Sequence, residues 1–370
     1  MSRRRWSIWL GPPIVLVAVA LVLSRLQPGA EAGGRAMPAA AGACSGALPN
    51  VGAAPAGAGG NAIRGTWWRL VDRLDADGTL VGRTLVAGKG GSTTMTMPLA
   101  TEGSASGPVG GLVLVTSDDD RFSEIRLVSV AQGCSWLLHR DDNVVRSAVV
   151  HVAGNAILAH LVQRETRADL GVWQLTDADP DAKLVRIVEP LVPQADLGPI
   201  WSTTLRLDAT GHSLAVQSCS DAGCLTRVLS LDAFGRPLTV IKGPAQGSIV
   251  GLTGSSLITW AYCVGMPCEL QAWDAGSGNH TSLLKAAIGA AMTGDGRYVV
   301  AVTDANGRAF RIDLSGSALQ LIQGLAAGDV PLGFGVSAYQ GIEVAADEVG
   351  VAAPGADAHA FNVGKAPAAP

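Results

Sequence analysis

The sequence predicts an all-β protein whose main domain is a six-bladed β-propeller, on the evidence of its composition, a repeated pattern of apolar runs and its complementary chain ends. Of the 370 residues, 47 are glycine and only 16% are charged, which suits many short strands joined by tight turns better than exposed amphipathic helices. The apolar fraction of 48% is ample for a large core. We therefore expect many strands and few helices.

A module of four apolar runs separated by turns recurs along the chain. Copies of this module begin at Thr94, Ser147, Thr210, Thr253 and Thr293. The C-terminus holds only part of a module, and the runs that follow Arg64 hold the remainder, as expected for a ring closed by strands from both chain ends. This count gives six blades. A seven-bladed ring is the alternative, because two cysteine pairs recur at a spacing of only 44 residues. A β-sandwich is disfavoured because sandwiches do not repeat a four-run unit.

One segment carries a resemblance to a known family. The stretch Thr293-Gly294-Asp295-Gly296-Arg297 resembles the Ser-Pro-Asp-Gly-Arg sequence that opens a repeat of TolB-type six-bladed propellers, with Gly294 in place of proline. The dipeptide Trp273-Asp274 is similar to that of the more distant WD40 propellers, although no Gly-His precedes it. The resemblance covers chiefly residues 202–323. It implies an extracytoplasmic bacterial propeller with protein partners in an envelope assembly, but propellers host binding, scaffolding and catalysis alike.

The N-terminus predicts export. Residues 1–25 hold three arginines, Arg3 to Arg5, ahead of the apolar run Ile14–Leu23, which is the pattern of a signal-anchor or a signal peptide. As a single-pass transmembrane helix, this segment would hold the protein at the cytoplasmic membrane with the propeller outside. The alternative is secretion after cleavage near Ala32, where Ala30-Glu31-Ala32 fits the small-x-small pattern.

The remaining boundaries follow from composition. Residues 26–63 are dominated by Ala, Gly and Pro and predict a disordered linker, because such a segment cannot bury enough apolar surface to offset the entropy of ordering. Residues 64–363 form the predicted propeller, and residues 364–370 a predicted disordered tail.

Six cysteines predict disulfide bonds in an exported protein. Cys219 with Cys224, and Cys263 with Cys268, lie at the turn between the second and third strands of successive modules, where opposed hairpin positions can meet disulfide geometry. The remaining pair, Cys44 and Cys134, would pin the linker to the first module. Zinc is the alternative reading of Cys-x4-Cys, disfavoured because equivalent loops of neighbouring blades diverge around a ring.

The sequence offers no catalytic, cofactor or metal residue. The run Asp177 to Asp181 lacks the glycine and the glutamate of a calcium loop, the six histidines are scattered, and Gly-x-Ser-x-Gly is absent. The net charge is −4 and no Lys/Arg run follows Arg5, which argues against nucleic-acid binding. Asp75-Ala76-Asp77-Gly78 predicts a hairpin turn.

We therefore expect a non-catalytic scaffold that binds a protein or a small ligand at a propeller face, the face that carries the loops Cys219–Cys224 and Cys263–Cys268. One alternative is a lactonase-like or glycosidase-like enzyme, which requires carboxylates on the innermost strands. The innermost runs, such as Ser248–Leu252 and Ala287–Met292, are instead small or apolar. The other alternative is a sensor ectodomain.

Overall fold

A computed structural model describes residues 42–44, 65–101, 103–118, 122–142, 144–152, 155–163, 168–175, 183–188, 202–220, 223–230, 236–242, 247–254, 256–261, 268–303, 308–316, 318–326, 328–332, 341–353 and 358–368. It describes the backbone alone at 109, 141, 144–152, 155–163, 168–175, 183–188, 202–203, 219–220, 223, 236–242, 247 and 261. Every helix or strand assigned in these ranges is a β-strand, which confirms the all-β prediction. Within the same ranges, no helix has the length and apolar character needed to cross a bilayer. The predicted export segment, residues 1–25, lies outside them.

The strands in chain order are β1 (Gly42–Ala43), β2 (Thr66–Leu74), β3 (Leu80–Lys89), β4 (Ser92–Leu99), β5 (Ser104–Val109), β6 (Leu112–Asp118), β7 (Ser123–Ser129), β8 (Cys134–Asp141), β9 (Val144–Val152), β10 (Asn155–Gln163), β11 (Ala168–Leu175), β12 (Lys183–Val188), β13 (Ser202–Leu207), β14 (Ser213–Ser220), β15 (Gly223–Ser230), β16 (Arg236–Lys242), β17 (Gly247–Thr253), β18 (Ser256–Ala261), β19 (Glu269–Asp274), β20 (His280–Lys285), β21 (Ala287–Met292), β22 (Tyr298–Thr303), β23 (Arg308–Asp313), β24 (Ala318–Ile322), β25 (Val330–Pro331), β26 (Gly341–Ile342), β27 (Glu348–Ala352) and β28 (His359–Asn362).

Six sheets of four or five strands form the blades, which confirms the six-bladed propeller. The closing blade has the order β26-β2-β3-β4, and the second blade runs from β5 to β8 with β1 added at its outer edge. The third to sixth blades are β9 to β12, β13 to β16, β17 to β20 and β21 to β24. The first strands of successive blades, from β26 through β5, β9, β13 and β17 to β21, lie side by side and are therefore innermost, and β25 of the smaller sheet lies beside β21. A smaller sheet, β25-β27-β28, packs against the sixth and closing blades, and the seven-bladed alternative amounts to counting it as a blade.

The ring is closed by strands from both chain ends, as predicted. Strand β26 pairs antiparallel with β2, with Trp67 opposite Ile342 and Trp68 opposite Gly341. The division of strands differs from the expectation in two ways. The C-terminus contributes only β26 to the closing blade, while β27 and β28 join the small sheet. Strand β4 is the outermost strand of the closing blade and does not open the second blade, which begins with β5.

Glu343, directly after β26, stabilises the ring closure through hydrogen bonds. Its backbone N–H donates to the carbonyl of Thr66 at 2.7 Å, and its carboxylate Oε2 accepts a hydrogen bond from Thr66 N at 3.0 Å. The other oxygen, Oε1, accepts from Gly111 N at 3.1 Å, in the turn between β5 and β6. One carboxylate therefore joins the closing blade to the second blade.

Two tryptophan side chains support the same junction. Trp67 Nε1 donates to the carbonyl of Gly90 at 2.8 Å, and Trp68 Nε1 donates to the carbonyl of Gly107 at 2.9 Å. Gly341 lies so close to the Trp68 indole that an added Cβ would fall 2.2 Å from Nε1. Glycine at position 341 is therefore required by close packing, since contacts below 3.0 Å do not occur at real Cβ atoms.

The core lies between neighbouring blades. Alternate residues of a strand point to opposite faces of its sheet, so each blade presents one apolar face to each neighbour. The cluster between the closing and second blades consists of Trp68, Leu85, Ala87, Met95, Met97, Leu99, Val113, Val115, Val128 and Val130. The cluster between the sixth blade and the small sheet includes Tyr298, Val300, Val302, Val349, Val351 and Phe361. Each large aliphatic side chain buried in this way contributes about 1.5–3 kcal/mol to the free energy of folding.

The predicted Cys44–Cys134 disulfide is present in the structure. Beside it, β1 pairs parallel with β8, with Gly42 opposite Cys134, and Cys44 N donates to the carbonyl of Ser135 at 3.0 Å. Part of the predicted disordered linker is therefore a strand on the second blade. The backbone pairs there without needing an apolar side chain, which is why composition did not reveal it.

Residues 364–370 were predicted to be a disordered tail, and the structure corrects this prediction for the described residues 364–368. Arg311 Nη1 donates to the carbonyls of Val363 and Gly364 at 2.8 and 3.2 Å. Ala368 forms an antiparallel bridge with Ile322 at the end of β24. An arginine from the sixth blade and backbone pairing thus hold a segment that has no apolar run of its own.

We expect the Cys44→Ser/Cys134→Ser double variant to lower the free energy of unfolding by about 4 kcal/mol, because the bond closes a loop with a sequence separation of 90 residues. Urea unfolding of the full chain measures this. Cys268→Ser, which removes a free thiol, is the control and should leave the stability nearly unchanged. Equal stabilities of the double variant and the wild type would contradict the prediction.

We expect Glu343→Ala to lower the free energy of unfolding by about 2–3 kcal/mol, because the N–H groups of Thr66 and Gly111 lose a charged acceptor. Urea unfolding again provides the measurement. Asp77→Ala removes a carboxylate from an exposed turn and serves as the control. Equal free energies of unfolding for the two variants would contradict a stabilising role of the Glu343 hydrogen bonds in ring closure.

Candidate functional site

The turns between the second and third strands of the blades define one face of the ring. Equivalent strands of successive blades run in the same direction, so these turns all lie together. We call this the BC face, and we call the opposite face, with the turns between first and second strands, the AB face. The β2–β3 hairpin of the closing blade and the β14–β15 hairpin of the fourth blade both end at the BC face.

The β2–β3 hairpin is a long hairpin of the BC face whose turn is fully described. Its strands have 9 and 10 residues, compared with 9 and 8 in β10 and β11, 8 in each of β14 and β15, and 6 in each of β18, β19, β22 and β23. Burial falls along β2 from Trp67, which is buried, to Leu74, which is exposed. Three large apolar side chains lie exposed near the tip: Val71 at 41%, Leu74 at 59% and Val81 at 51%. The hairpin therefore extends beyond the packed part of its blade.

The tip of this hairpin is held by its own hydrogen bonds, as the turn sequence predicted. Asp75 Oδ1 accepts from Asp77 N at 3.0 Å and from Thr79 N at 2.8 Å. Gly78 has φ +82°, a left-handed conformation that glycine adopts without strain. Behind the tip, the exposed apolar residues are flanked by an ion pair between Asp72 and Arg83 at 3.1 Å. The turn holds the exposed side chains on an ordered support.

A buried carboxylate with two arginines lies at the BC end of the second blade. Glu124 on β7 is only 8% exposed. Its Oε2 accepts from Arg126 Nε at 2.8 Å, and its Oε1 accepts from Arg140 on β8, through Nε at 3.0 Å and through Nη2. The Arg140 guanidinium stacks over the Phe122 ring with its carbon 4.0 Å from the ring centroid. Burial acts to raise the pKa of Glu124, but the hydrogen bonds and positive charges of Arg126 and Arg140 outweigh it and lower this pKa below its ordinary value.

The hairpin and this cluster belong to the same inter-blade junction. Glu124 is opposite Ser117 in the β6–β7 ladder, and Ser117 Oγ accepts a hydrogen bond at 3.0 Å from Ala100 N, in the connection that leaves the closing blade. Arg83 Nη1 donates to the carbonyl of Gly103 in the same connection at 2.9 Å. We define the candidate site as the exposed hairpin residues Val71, Leu74 and Val81 together with Glu124, Arg126 and Arg140. Its members come from separate strands, so sequence reasoning found the turn but not the site.

The predicted local disulfides have different outcomes. Cys219 and Cys224 are directly opposite in the β14–β15 ladder, and Cys224 is disulfide-bonded. Cys268 is a free, half-buried thiol, so the structure does not contain the predicted Cys263–Cys268 bond; Cys263 lies outside the described residues. The last described pair of that hairpin is Ala261 with Glu269.

The innermost strands line the centre of the ring. The predicted innermost runs Ser248–Leu252 and Ala287–Met292 fall on β17 and β21, as expected. Among the innermost-strand residues whose side chains are described, none is a carboxylate and Arg206 on β13 is the one charged residue. Among the described residues, no group of three His, Cys, Asp or Glu side chains is placed to hold a metal ion. The run Asp177 to Asp181 lies outside the described residues.

Comparisons with known proteins concern the fold. No protein-family model matches the sequence, and no curated protein matches it either. Similar solved structures include TolB from Acinetobacter baumannii, 12% identical with a TM-score of 0.40 over 69% of this chain and 62% of that one. A prolyl endopeptidase is 12% identical with a TM-score of 0.48, over 84% of this chain and 48% of that one. An oligogalacturonate lyase in complex with manganese is 11% identical with a TM-score of 0.37, over 70% and 77%. The chain therefore spans less than two thirds of the first two proteins, and the propeller assignment made above rests on the sheet order.

We expect the stabilising effect of Glu124 to disappear in acid. Because its folded-state pKa is lowered, its contribution is fully present above the unfolded pKa of about 4.3 and is lost as the pH falls through the folded pKa. Glu124→Gln should therefore be less stable than the wild type at pH 7, and the gap should narrow toward pH 2. Urea unfolding across this range measures the gap, and a difference independent of pH would contradict the assignment.

Proposed function

We propose that the protein is a non-catalytic propeller that binds a protein partner at its BC face, outside the cytoplasmic membrane and tethered to it by residues 1–25. The observation that carries the proposal is the projecting β2–β3 hairpin, which exposes Val71, Leu74 and Val81 on a hydrogen-bonded support. A soluble domain that exposes apolar side chains together at an ordered tip commonly uses them for association.

The chemistry of the candidate site favours a protein over a small ligand. Small-molecule sites are concave and enclose most of their ligand, whereas the hairpin tip projects from the ring. Protein interfaces combine an apolar centre with aromatic and arginine residues and a polar rim. Leu74 with its apolar neighbours can supply the centre, and Arg140 stacked on Phe122 supplies a preorganised arginine at the same junction.

The disulfides support the extracytoplasmic location. Cys44 is bonded to Cys134, and Cys224 is also disulfide-bonded, as is usual in oxidising compartments. Three arginines before an apolar run keep the N-terminus on the cytoplasmic side. A tether that leaves the membrane at about residue 25 would reach the propeller at Cys44 on the second blade, well before the first strand of the closing blade at Thr66.

We expect a photo-crosslinking amino acid at position 74 to give one discrete protein adduct in cells of the source organism. The matched control is position 319, an exposed leucine on the outermost strand of the sixth blade, which should give none. Changing Val71 and Val81 to threonine should reduce the adduct at position 74 at least fivefold. The same adduct at both positions, or none at position 74, would contradict binding at the BC face.

We expect the mature protein to be recovered from the membrane fraction with residues 1–25 still attached. Mass spectrometry of the intact protein measures this, and protease treatment of spheroplasts should digest the propeller. A mature chain beginning near Gly33 would contradict the anchor and favour secretion. A propeller protected from protease until the membrane is broken would contradict the extracytoplasmic location.

A further inference from the structure

One wall of the candidate site is the face of the second blade that looks toward the closing blade. Val113 and Val115 of β6 pack in the cluster shared with the closing blade, and Ser117 continues their alternation along the strand. Residues directly opposite in an antiparallel ladder lie on the same face of a sheet. Glu124 is opposite Ser117, and Arg140 is opposite Glu124, so both face the closing blade.

The facing wall belongs to the β2–β3 hairpin. Leu70 packs against the same cluster, so Asp72 and Leu74, which follow it at intervals of two along β2, face the second blade. Arg83 is opposite Asp72, and its Nη1 donates to the carbonyl of Gly103 in the connection to the second blade. We call these two facing walls, at the BC end of the blades, the junction surface.

The wall on the second blade carries one positive charge in excess. Among the described residues of this wall, Glu124 is the one carboxylate, and two arginines, Arg126 and Arg140, share it. The side chain of Arg126 is 28% exposed and that of Arg140 is 54% exposed. On the hairpin wall, by contrast, Asp72 and Arg83 balance each other. The excess charge is therefore most accessible at Arg140, where a negatively charged group would be complementary.

The Arg140 guanidinium is held ready to bind such a group. Its Nε and Nη2 both donate to Glu124 Oε1, and the Phe122 ring covers one of its faces. Within the described part of the chain Nη1 has no hydrogen bond, which leaves this nitrogen and the second N–H of Nη2 for a partner. A guanidinium binds a carboxylate through two parallel N–H bonds, and a guanidinium already fixed in place loses little conformational entropy on binding.

Exposed apolar side chains accompany Arg140 on both walls. Leu137 is opposite Arg126 in the β7–β8 ladder, so it lies on the same wall as Arg140, and it is 42% exposed. Leu74 on the hairpin wall is 59% exposed. Protein interfaces place charged pairs at the rim of an apolar centre. The junction surface therefore suits a segment that offers an apolar side chain together with a carboxylate.

We propose that the junction surface recognises a protein segment in which a carboxylate lies beside an apolar side chain, with the carboxylate bound by Arg140. The carboxylate would come from Asp, Glu or the C-terminus of the partner. This inference rests on the proposed function, because it specifies the partner of the same face. A second copy of this chain is disfavoured, because a two-fold contact through the junction surface would bring two positively charged walls together.

The first test selects peptides from a phage-displayed random library on the full-length protein in detergent. We expect the enriched peptides to carry Asp or Glu next to Leu, Ile, Val or Phe, and to bind Arg140→Gln about tenfold more weakly than the wild type, because a charged hydrogen bond is lost. Failure to enrich any peptide, enrichment without acidic residues, or equal binding by Arg140→Gln would overturn the proposal.

Arg297→Gln is the matched control. Arg297 is similarly exposed, pairs with Asp313 at 3.6 Å and lies over the Tyr298 ring at 4.8 Å from its centroid, but it belongs to the AB face of the sixth blade. This variant should bind the enriched peptides like the wild type. An equal loss in Arg140→Gln and Arg297→Gln would reveal a general effect of charge and would overturn a site at the junction surface.

Two readouts separate recognition by Arg140 from a structural role. Arg140→Lys keeps the charge without the two-donor geometry, so its affinity for the enriched peptides should fall between those of the wild type and Arg140→Gln. Binding to the wild type should weaken as ionic strength rises, and binding to Arg140→Gln should depend less on salt. Equal losses in the two variants, with the same salt dependence as the wild type, would overturn the ion pair.

Photo-crosslinking at position 74 separates this inference from the proposed function. In cells, Arg140→Gln should reduce the discrete adduct about tenfold, in line with the loss of the charged hydrogen bond. Absence of the adduct from the wild type would contradict the proposed function itself. An adduct unchanged by Arg140→Gln would leave protein binding at the BC face standing and overturn the acidic partner. An adduct between two copies of this chain would overturn the choice of a separate partner.

Discussion

Closure of the ring is the constraint on which the rest of the structure depends. Trp67 and Trp68 are consecutive on β2 and point to opposite faces of the closing blade, one toward the small sheet and the other toward the second blade. Both indoles are buried only if the blade has a neighbour on each side. The pairing of β26 with β2 and the carboxylate of Glu343 supply this condition, because they join the C-terminal segment to the closing blade and to the turn of the second blade. Without closure, the apolar faces at the two chain ends would meet water.

The same constraint assigns the functional surfaces. Since blade faces are committed to packing, only the two faces of the ring, the outer edges and the channel remain for binding. At the BC face, the β2–β3 hairpin exposes Val71, Leu74 and Val81 near its tip.

The sequence predicted the parts that depend on local pattern. Repeated runs gave the blades, and Asp75 to Gly78 gave the hairpin turn, because both follow from side-chain period and backbone preference within a few residues. Cys44 and Cys134 were paired because they remained after the two local pairs had been assigned, and the structure confirms this disulfide bond. The identical spacing of Cys219 with Cys224 and of Cys263 with Cys268 was misleading, since Cys219 and Cys224 are directly opposite in a ladder whereas Cys268 is a free thiol.

The sequence by itself determined the all-β class and the four-strand module, because these depend on residues that are near in the chain. It also determined the closure by both chain ends, because each end holds only part of a module and the two parts complete one. Only the tertiary structure decided which strands share a blade, that the tail is held by Arg311, and that Glu124 meets both Arg126 and Arg140. Each of these depends on distances between residues that are remote in sequence, and such distances are set by how the blades pack around the ring.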